Sequence, residues 1–239
     1  MKQKIEKATS KEFPEGIPSY GTDALRFTFC SIASYTRDIR FDTNRLGGYR
    51  NFCNKLWNAT RYVLMNTEDK DTGITNKSFE LSLPDRWIIS RLQQAINEAH
   101  ADLDEYRFDH YAQGIYDFVW NEFCDWYLEL SKPILTASDT PEAIKLGTRH
   151  TLVTTLECIL RLLHPIMPFI TEELWASIKS VTGQTGATIS MQSYPVANPE
   201  LTDEAAVLEL EWIKKVIIAI RTIRSEMNIP PGKPLPILL

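Results

Sequence analysis

From about Asp109 to Leu135 the chain is apolar on nearly every side of a helix, and that stretch restricts the possible folds more than any other. Tyr116, Val119, Trp120, Phe123, Trp126, Tyr127 and Leu130 leave almost no polar stripe. A helix of this kind has no face to give to water, so it belongs at the centre of a packed set of helices. Its aromatics Trp120, Phe123, Trp126 and Tyr127 accordingly read as core rather than as exposed platforms. Pro133 is expected to kink or end it, because proline lacks the amide hydrogen that the helix ladder needs.

The remaining segments supply the surrounding helices. Met1 to Tyr20 is rich in lysine and glutamate, then broken by Pro14, Gly16 and Pro18, and reads as a connector. Thr22 is the expected N-cap of a helix through Leu25, Phe27, Phe29 and Ile32 to about Ala33, with Asp23 well placed against the helix dipole. A polar segment, Tyr35 to Asn44, leads to a long helix from Thr43 to Asn66, whose first turn Gly47 and Gly48 weaken by about 1 kcal/mol each. After a polar loop, Pro84 opens a helix through Trp87, Ile88, Leu92 and Ile96 to Tyr106. Another carries Ile144, Leu152, Leu156, Ile159 and Leu163, and His164-Pro165-Ile166-Met167-Pro168 breaks it before a helix over Phe169 to Val181. A loop from Thr182 to Pro199 is expected to hold a short extended piece at Ile189–Tyr194. The last helix, about Asp203 to Met227, has acids early and the bases Lys214, Lys215, Arg221 and Arg224 late, an order that complements its dipole. The prediction is an all-α antiparallel helical bundle, with at most short strands near the C-terminal end. Its expected divisions are a connector over 1–20, a bundle over 21–182, and a loop, last helix and truncated subdomain over 183–239.

The Thr43–Asn66 helix carries the strongest functional signal. At 100° per residue, Arg50, Asn51, Asn54, Lys55, Asn58, Arg61 and Tyr62 share one contiguous face, while Leu46, Tyr49, Phe52, Cys53, Leu56, Trp57, Ala59, Val63 and Leu64 fill the other. From Arg37 to Asn66 there are six basic residues (Arg37, Arg40, Arg45, Arg50, Lys55, Arg61) and two acidic ones, Asp38 and Asp42, inside a chain of net charge −5. A solvated amphipathic helix also shows a charged face opposite an apolar one. Solvated faces usually mix signs, however, because Glu–Lys pairs one turn apart each add roughly 0.2–0.5 kcal/mol. This face holds no carboxylate. Cations for phosphates, amides for base edges and a ring for stacking are what a selective nucleic-acid contact requires.

Composition limits the alternatives. A sequence pI of about 5.5 argues against non-specific coating of nucleic acid and confines such binding to a patch. Cys30, Cys53, Cys124 and Cys158 form no C-x-x-C pair and sit in apolar helical patterns, as small buried hydrophobes do in a reducing compartment. The four histidines form no metal-binding cluster, no apolar run reaches the roughly 18 residues of a membrane span, and the charged N-terminus is no secretion signal. A cytoplasmic location is expected. No carboxylate pair, Ser/His/Asp set or glycine-rich phosphate loop stands out, so no catalytic residue is expected.

Gly21-Thr22-Asp23-Ala24-Leu25-Arg26-Phe27 resembles the sequence that opens the anticodon-binding bundle of class I aminoacyl-tRNA synthetases. Tyr49 to Ala59 (YRNFCNKLWNA), Trp120 to Glu129 (WNEFCDWYLE), His164 to Glu172 (HPIMPFITE) and Ile223 to Pro230 (IRSEMNIP) are similar to the valyl enzymes in particular. The resemblance runs from about Pro14 to Leu239, and it departs from the family at Gly47-Gly48, where an acidic residue is usual. It implies a bundle that grips the anticodon stem and loop of valine tRNA, within a parent ATP-dependent valine-tRNA ligase. The family's ATP-binding signatures, His-Ile-Gly-His and Lys-Met-Ser-Lys-Ser, do not occur in these residues. The expectation is therefore a non-catalytic piece with no cofactor of its own, the parent's catalytic domain using ATP and magnesium. Its partners would be valine tRNA, that catalytic domain and a C-terminal coiled coil, and it is expected to be monomeric. The implied tRNA-binding residues are Arg50, Asn51, Asn54, Lys55, Asn58, Arg61 and Tyr62. Asp23 and Arg26, three residues apart, are expected to form an ion pair at the domain junction. Two alternatives stand beside this reading: the equivalent domain of an isoleucyl or leucyl enzyme, and a helical protein-binding scaffold.

Overall fold

The computed structural model describes residues 2–16, 18–34, 41–75, 78–230 and 232–236, with Glu12 placed by its backbone alone. Among these the chain is helical, with no strand. α1 (Lys2–Glu12) is followed by α2 (Thr22–Ile32), α3 (Thr43–Thr67) and α4 (Leu83–Asp104). α5 is a continuous rod made of Phe108–Asp117, a π-helical stretch Phe118–Tyr127, and Leu128–Thr136. α6 (Glu142–Leu163), α7 (Pro168–Thr182) and α8 (Glu204–Glu226) complete the order.

Local chemistry sets most of the boundaries. Gly21, not Thr22, stands at the N-cap of α2, with φ of 90°, a left-handed conformation that a side chain would strain. Asp42 caps α3 by accepting from the Asn44 amide at 2.9 Å, and the helix runs regularly through Gly47 and Gly48. Ser82 and Asp85 form a capping box at the start of α4, with Pro84 in the first turn. Pro133 lies inside α5, which continues for one more turn to Thr136. The extended piece expected at Ile189–Tyr194 is instead a 3₁₀ turn, Ile189–Met191, because the Thr188 side chain accepts from the Ser190 amide and curls the backbone. No strand forms at Leu235–Pro236 either, and 237–239 lie outside the described residues.

The core confirms the central place of α5. Phe118, Val119, Phe123 and Tyr127 are buried against Phe27 of α2, Phe52, Leu56 and Val63 of α3, Trp87 and Ile88 of α4, and Leu152, Leu156 and Leu163 of α6. Trp120 and Trp126, expected in the core, sit at its rim, half-buried with cations over their rings. The stretch that carries them is π-helical. Its i→i+5 hydrogen bonds, such as Leu128 N–H to the Phe123 carbonyl, widen the turn and change which residues point inward. A 3.6-residue period misassigns residues here.

Two carboxyl groups are fixed deep in the packing. Asp85 is wholly buried and accepts from the Ser82 amide (2.9 Å), the Ser82 hydroxyl (2.6 Å), Thr148 Oγ1 (2.9 Å) and Tyr127 Oη (2.7 Å). Glu157 accepts a forked pair of bonds from Arg161 and a third from Trp175 Nε1 at 3.1 Å. Together they tie α4, α5, α6 and α7 into one bundle.

Candidate nucleic-acid interface

α3 presents its polar side outward because its other side is pinned. Leu46, Phe52, Leu56, Ala59, Thr60, Val63 and Thr67 are buried, and their spacing forces Arg50, Asn51, Asn54, Asn58 and Arg61 to the surface. None of these five has an ion pair or side-chain hydrogen bond among the described residues. The row from Arg50 to Arg61 spans roughly 16 Å along the helix axis. Arg37 and Arg40, counted in the local charge, lie outside the described residues.

Two members of the expected face have intramolecular partners. Lys55 pairs with Asp125 of α5, and its ammonium lies 4.0 Å from the centre of the Trp120 ring. Trp120 in turn stacks on Tyr116 at 5.5 Å. The hydroxyls of Tyr62 and Ser131 share a hydrogen bond of 2.8 Å, and burial pushes the Tyr62 phenol pKa upward. Lys55 and Tyr62 thus form the margin where α3 meets α5, and the Lys55–Asp125 pair brings a carboxylate to a face that α3 alone left without one.

Trp57 is the residue that sequence reasoning misplaced. Assigned to the buried side, it is 43% exposed. The signal was present: seven residues at 100° bring it to within about 20° of Arg50, and it lies one turn from Arg61. Met65, a turn beyond Arg61, is 75% exposed on the same side. The exposed strip of α3 is therefore a tryptophan bordered by two arginines, with amides alongside.

Asp23 and Arg26 do not pair with each other, contrary to expectation. Asp23 accepts from the Phe169 and Ile170 amides (3.4 and 2.7 Å), capping α7 from α2, since Met167 at its N-cap offers no side-chain cap. Arg26 donates to the Ile166 and Pro165 carbonyls, both at 3.0 Å. The two residues hold the proline-rich turn between α6 and α7 against α2. His164, in that turn, has both ring nitrogens engaged, by Thr171 at 2.7 Å and Ser190 at 2.8 Å, and burial lowers its pKa. Three of the four bases of α8 are also occupied, Lys215 being the exception among the described residues. Lys214 pairs with Glu211 at 2.7 Å beneath Trp87 and Trp126, and Arg221 covers Trp126. Arg224 donates to the Lys233 carbonyl at 2.9 Å.

Among the described residues no His/Cys/Asp/Glu group could hold a metal ion, and no helix is long and apolar enough to cross a membrane. All four cysteines are free, and burial raises their thiol pKa values, that of Cys53 to about 11 and those of Cys124 and Cys158 to about 12. They are protonated packing residues rather than nucleophiles.

The family model for the anticodon-binding domain of tRNA ligases matches residues 85–239. The chain belongs to that family. It is 52% identical, over its whole length, to the valine–tRNA ligases of Legionella pneumophila strains Paris, Philadelphia 1 and Lens, and it covers 26% of each. It thus spans about a quarter of the length of these curated relatives. Among solved structures it is similar to the agnB2 LeuRS of Agrobacterium radiobacter K84, in a ternary complex with tRNA and LeuAMS. That likeness has a TM-score of 0.55 at 20% identity, over 83% of this chain and 21% of the other, and it supports the helical fold. The α3 strip lies N-terminal to the matched 85–239 and packs directly on it through α5 and α6.

Proposed function

We propose that this chain is the anticodon-recognition part of a valine-tRNA ligase, and that it binds the anticodon stem and loop of valine tRNA through the exposed strip of α3. The observation that carries the reading is the row Arg50, Asn51, Asn54, Asn58 and Arg61, held outward by a packed helix and without partners among the described residues in an anticodon-binding fold. Arginines engage phosphates and amides engage base edges. Lys55 and Tyr62 stand at the edge of the contact. Asp23 and Arg26 support it at a distance by fixing α2 against α7. Valine is favoured as the amino acid because the identity to the valine enzymes is high along the whole chain. Catalysis, with its ATP and magnesium, belongs to the remainder of the longer protein.

Replacing Arg50 or Arg61 by alanine is expected to weaken binding to valine tRNA and to lower the dependence of log K on log salt by about 0.7–0.9 per phosphate lost. Asn54→Ala or Asn58→Ala should cost about 1–3 kcal/mol, relax discrimination between anticodons and leave that slope unchanged. Unchanged affinity and slope in all four variants, with the fold intact, would sink the assignment. Competition by isoleucine or leucine tRNA at equal affinity would move the chain to a sister enzyme. Binding to protein partners with no response to salt would favour a scaffold.

A further inference from the structure

Resting on that reading, we infer that Trp57 is the stacking platform for an unpaired base of the RNA loop, with Arg50 and Arg61 holding the phosphates on either side of it. The position of the ring is the first support. On an α-helix Trp57 stands roughly 10 Å along the axis from Arg50 and 6 Å from Arg61, so it lies between two cations that have no partner among the described residues. Its availability is the second. Trp87 and Trp175 are wholly buried, Trp120 carries Lys55 and Tyr116, and Trp126 carries Lys214 and Arg221. Trp57, 43% exposed, makes no ring or cation contact among the described residues. Trp212 is the other exposed indole, at 65%, but it follows Leu208 and Glu209 on α8 and lacks a pair of free arginines.

The chemistry that fits such a site is a flat aromatic surface carrying neighbouring negative charge. An exposed indole costs hydrophobic free energy that a stacked base would recover, and stacking tolerates any base because every base has a π-face. The arrangement divides the labour. Arginines set affinity through phosphates, Asn54 and Asn58 read edges, and Trp57 requires that a base be unpaired. It therefore selects a loop over a duplex. Tyr62, the ring expected from the sequence to stack, has its hydroxyl engaged by Ser131 at the α3–α5 seam.

The test compares Trp57→Leu and Trp57→Phe in the full chain of 239 residues. The probes are a valine-tRNA anticodon hairpin transcript and the same stem closed as a continuous duplex, titrated by fluorescence anisotropy over a range of salt. Leucine keeps apolar bulk without a π-face. Trp57→Leu is expected to weaken hairpin binding about 5- to 100-fold, with the salt slope unchanged and duplex binding unaffected. Trp57→Phe should recover most of the loss. If Trp57→Leu binds the hairpin like the parent while Arg50→Ala and Arg61→Ala weaken it, the stacking role is overturned and the tRNA reading stands. If the arginine variants are also silent, both fall. If Trp57→Leu lowers hairpin and duplex binding equally, or lowers the melting temperature, Trp57 supports the helix instead and the inference is refuted.

Discussion

Asp85 offers the most demanding check on the packing that holds α3 in place. Replaced by alanine, it takes from the buried Tyr127 and Thr148 hydroxyls their carboxylate acceptor, leaving Tyr127 a 3.4 Å contact to the Thr148 carbonyl and the Thr151 hydroxyl beside it, and removes the reciprocal half of the α4 capping box. Each buried hydroxyl without a partner costs about 1–3 kcal/mol, and a lost cap typically about 1. Relief of burying the carboxylate offsets part of this, so Asp85→Ala should destabilise by about 3–5 kcal/mol, a large share of the 5–15 typical of a folded domain. Asp85→Asn keeps one acceptor for the Ser82 amide, and rotating hydroxyls can accept from its new amide, so about 1–2 kcal/mol is expected. Burial raises the Asp85 pKa above its ordinary 3.8, despite the bonds that lower it. A carboxyl raised in the folded state contributes stability that is full below about 3.8 and is lost as pH rises through the folded value. The advantage of the parent over Asp85→Asn should therefore narrow as pH rises from about 4 towards neutrality. Urea unfolding followed by far-UV circular dichroism, repeated across that range, measures both effects. A loss below 1 kcal/mol in Asp85→Ala, or equal losses in the two variants, would refute the argument that the buried network is held by this acceptor.

Gly147→Ala would place a Cβ 2.0 Å from the Glu80 carbonyl oxygen, backbone that cannot swing aside, so a loss of about 1–3 kcal/mol and loosening of the loop before α4 should appear in thermal melts. Asp23→Ala should cost about 0.5–2 kcal/mol and speed hydrogen exchange at the Phe169 and Ile170 amides, while tRNA binding falls only as far as stability does. Lys55→Ala should change the salt slope for tRNA by less than half as much as Arg50→Ala, because Asp125 already neutralises Lys55. An equal change would mean that the pair opens when RNA binds.

The architecture was readable because most of its helices are built on one period with ordinary punctuation. Ser82–Pro84–Asp85 announces α4, the prolines at 165 and 168 separate α6 from α7, and the all-round apolar stretch fixes α5 at the centre. Reading failed where that period changes or where the partner is distant in sequence. Within the π-helical Phe118–Tyr127, Trp120 and Trp126 lie at the rim and Asp125 meets Lys55, and no composition signal marks a π turn. Asp23 and Arg26 look like a pair one turn apart, yet their partners lie about 140 residues away in the turn before α7. The candidate strip was legible in outline because charge excess and missing carboxylates are properties of α3 alone. Its inner limit was not, since only α5 determines that Lys55 and Tyr62 are engaged, and only packing shows how little α3 needs Trp57. A residue's polarity says where it prefers to be, whereas its neighbours decide whether it is free to act. Between Arg50 and Arg61 that second condition leaves, among the described residues, two arginines, three amides and one indole.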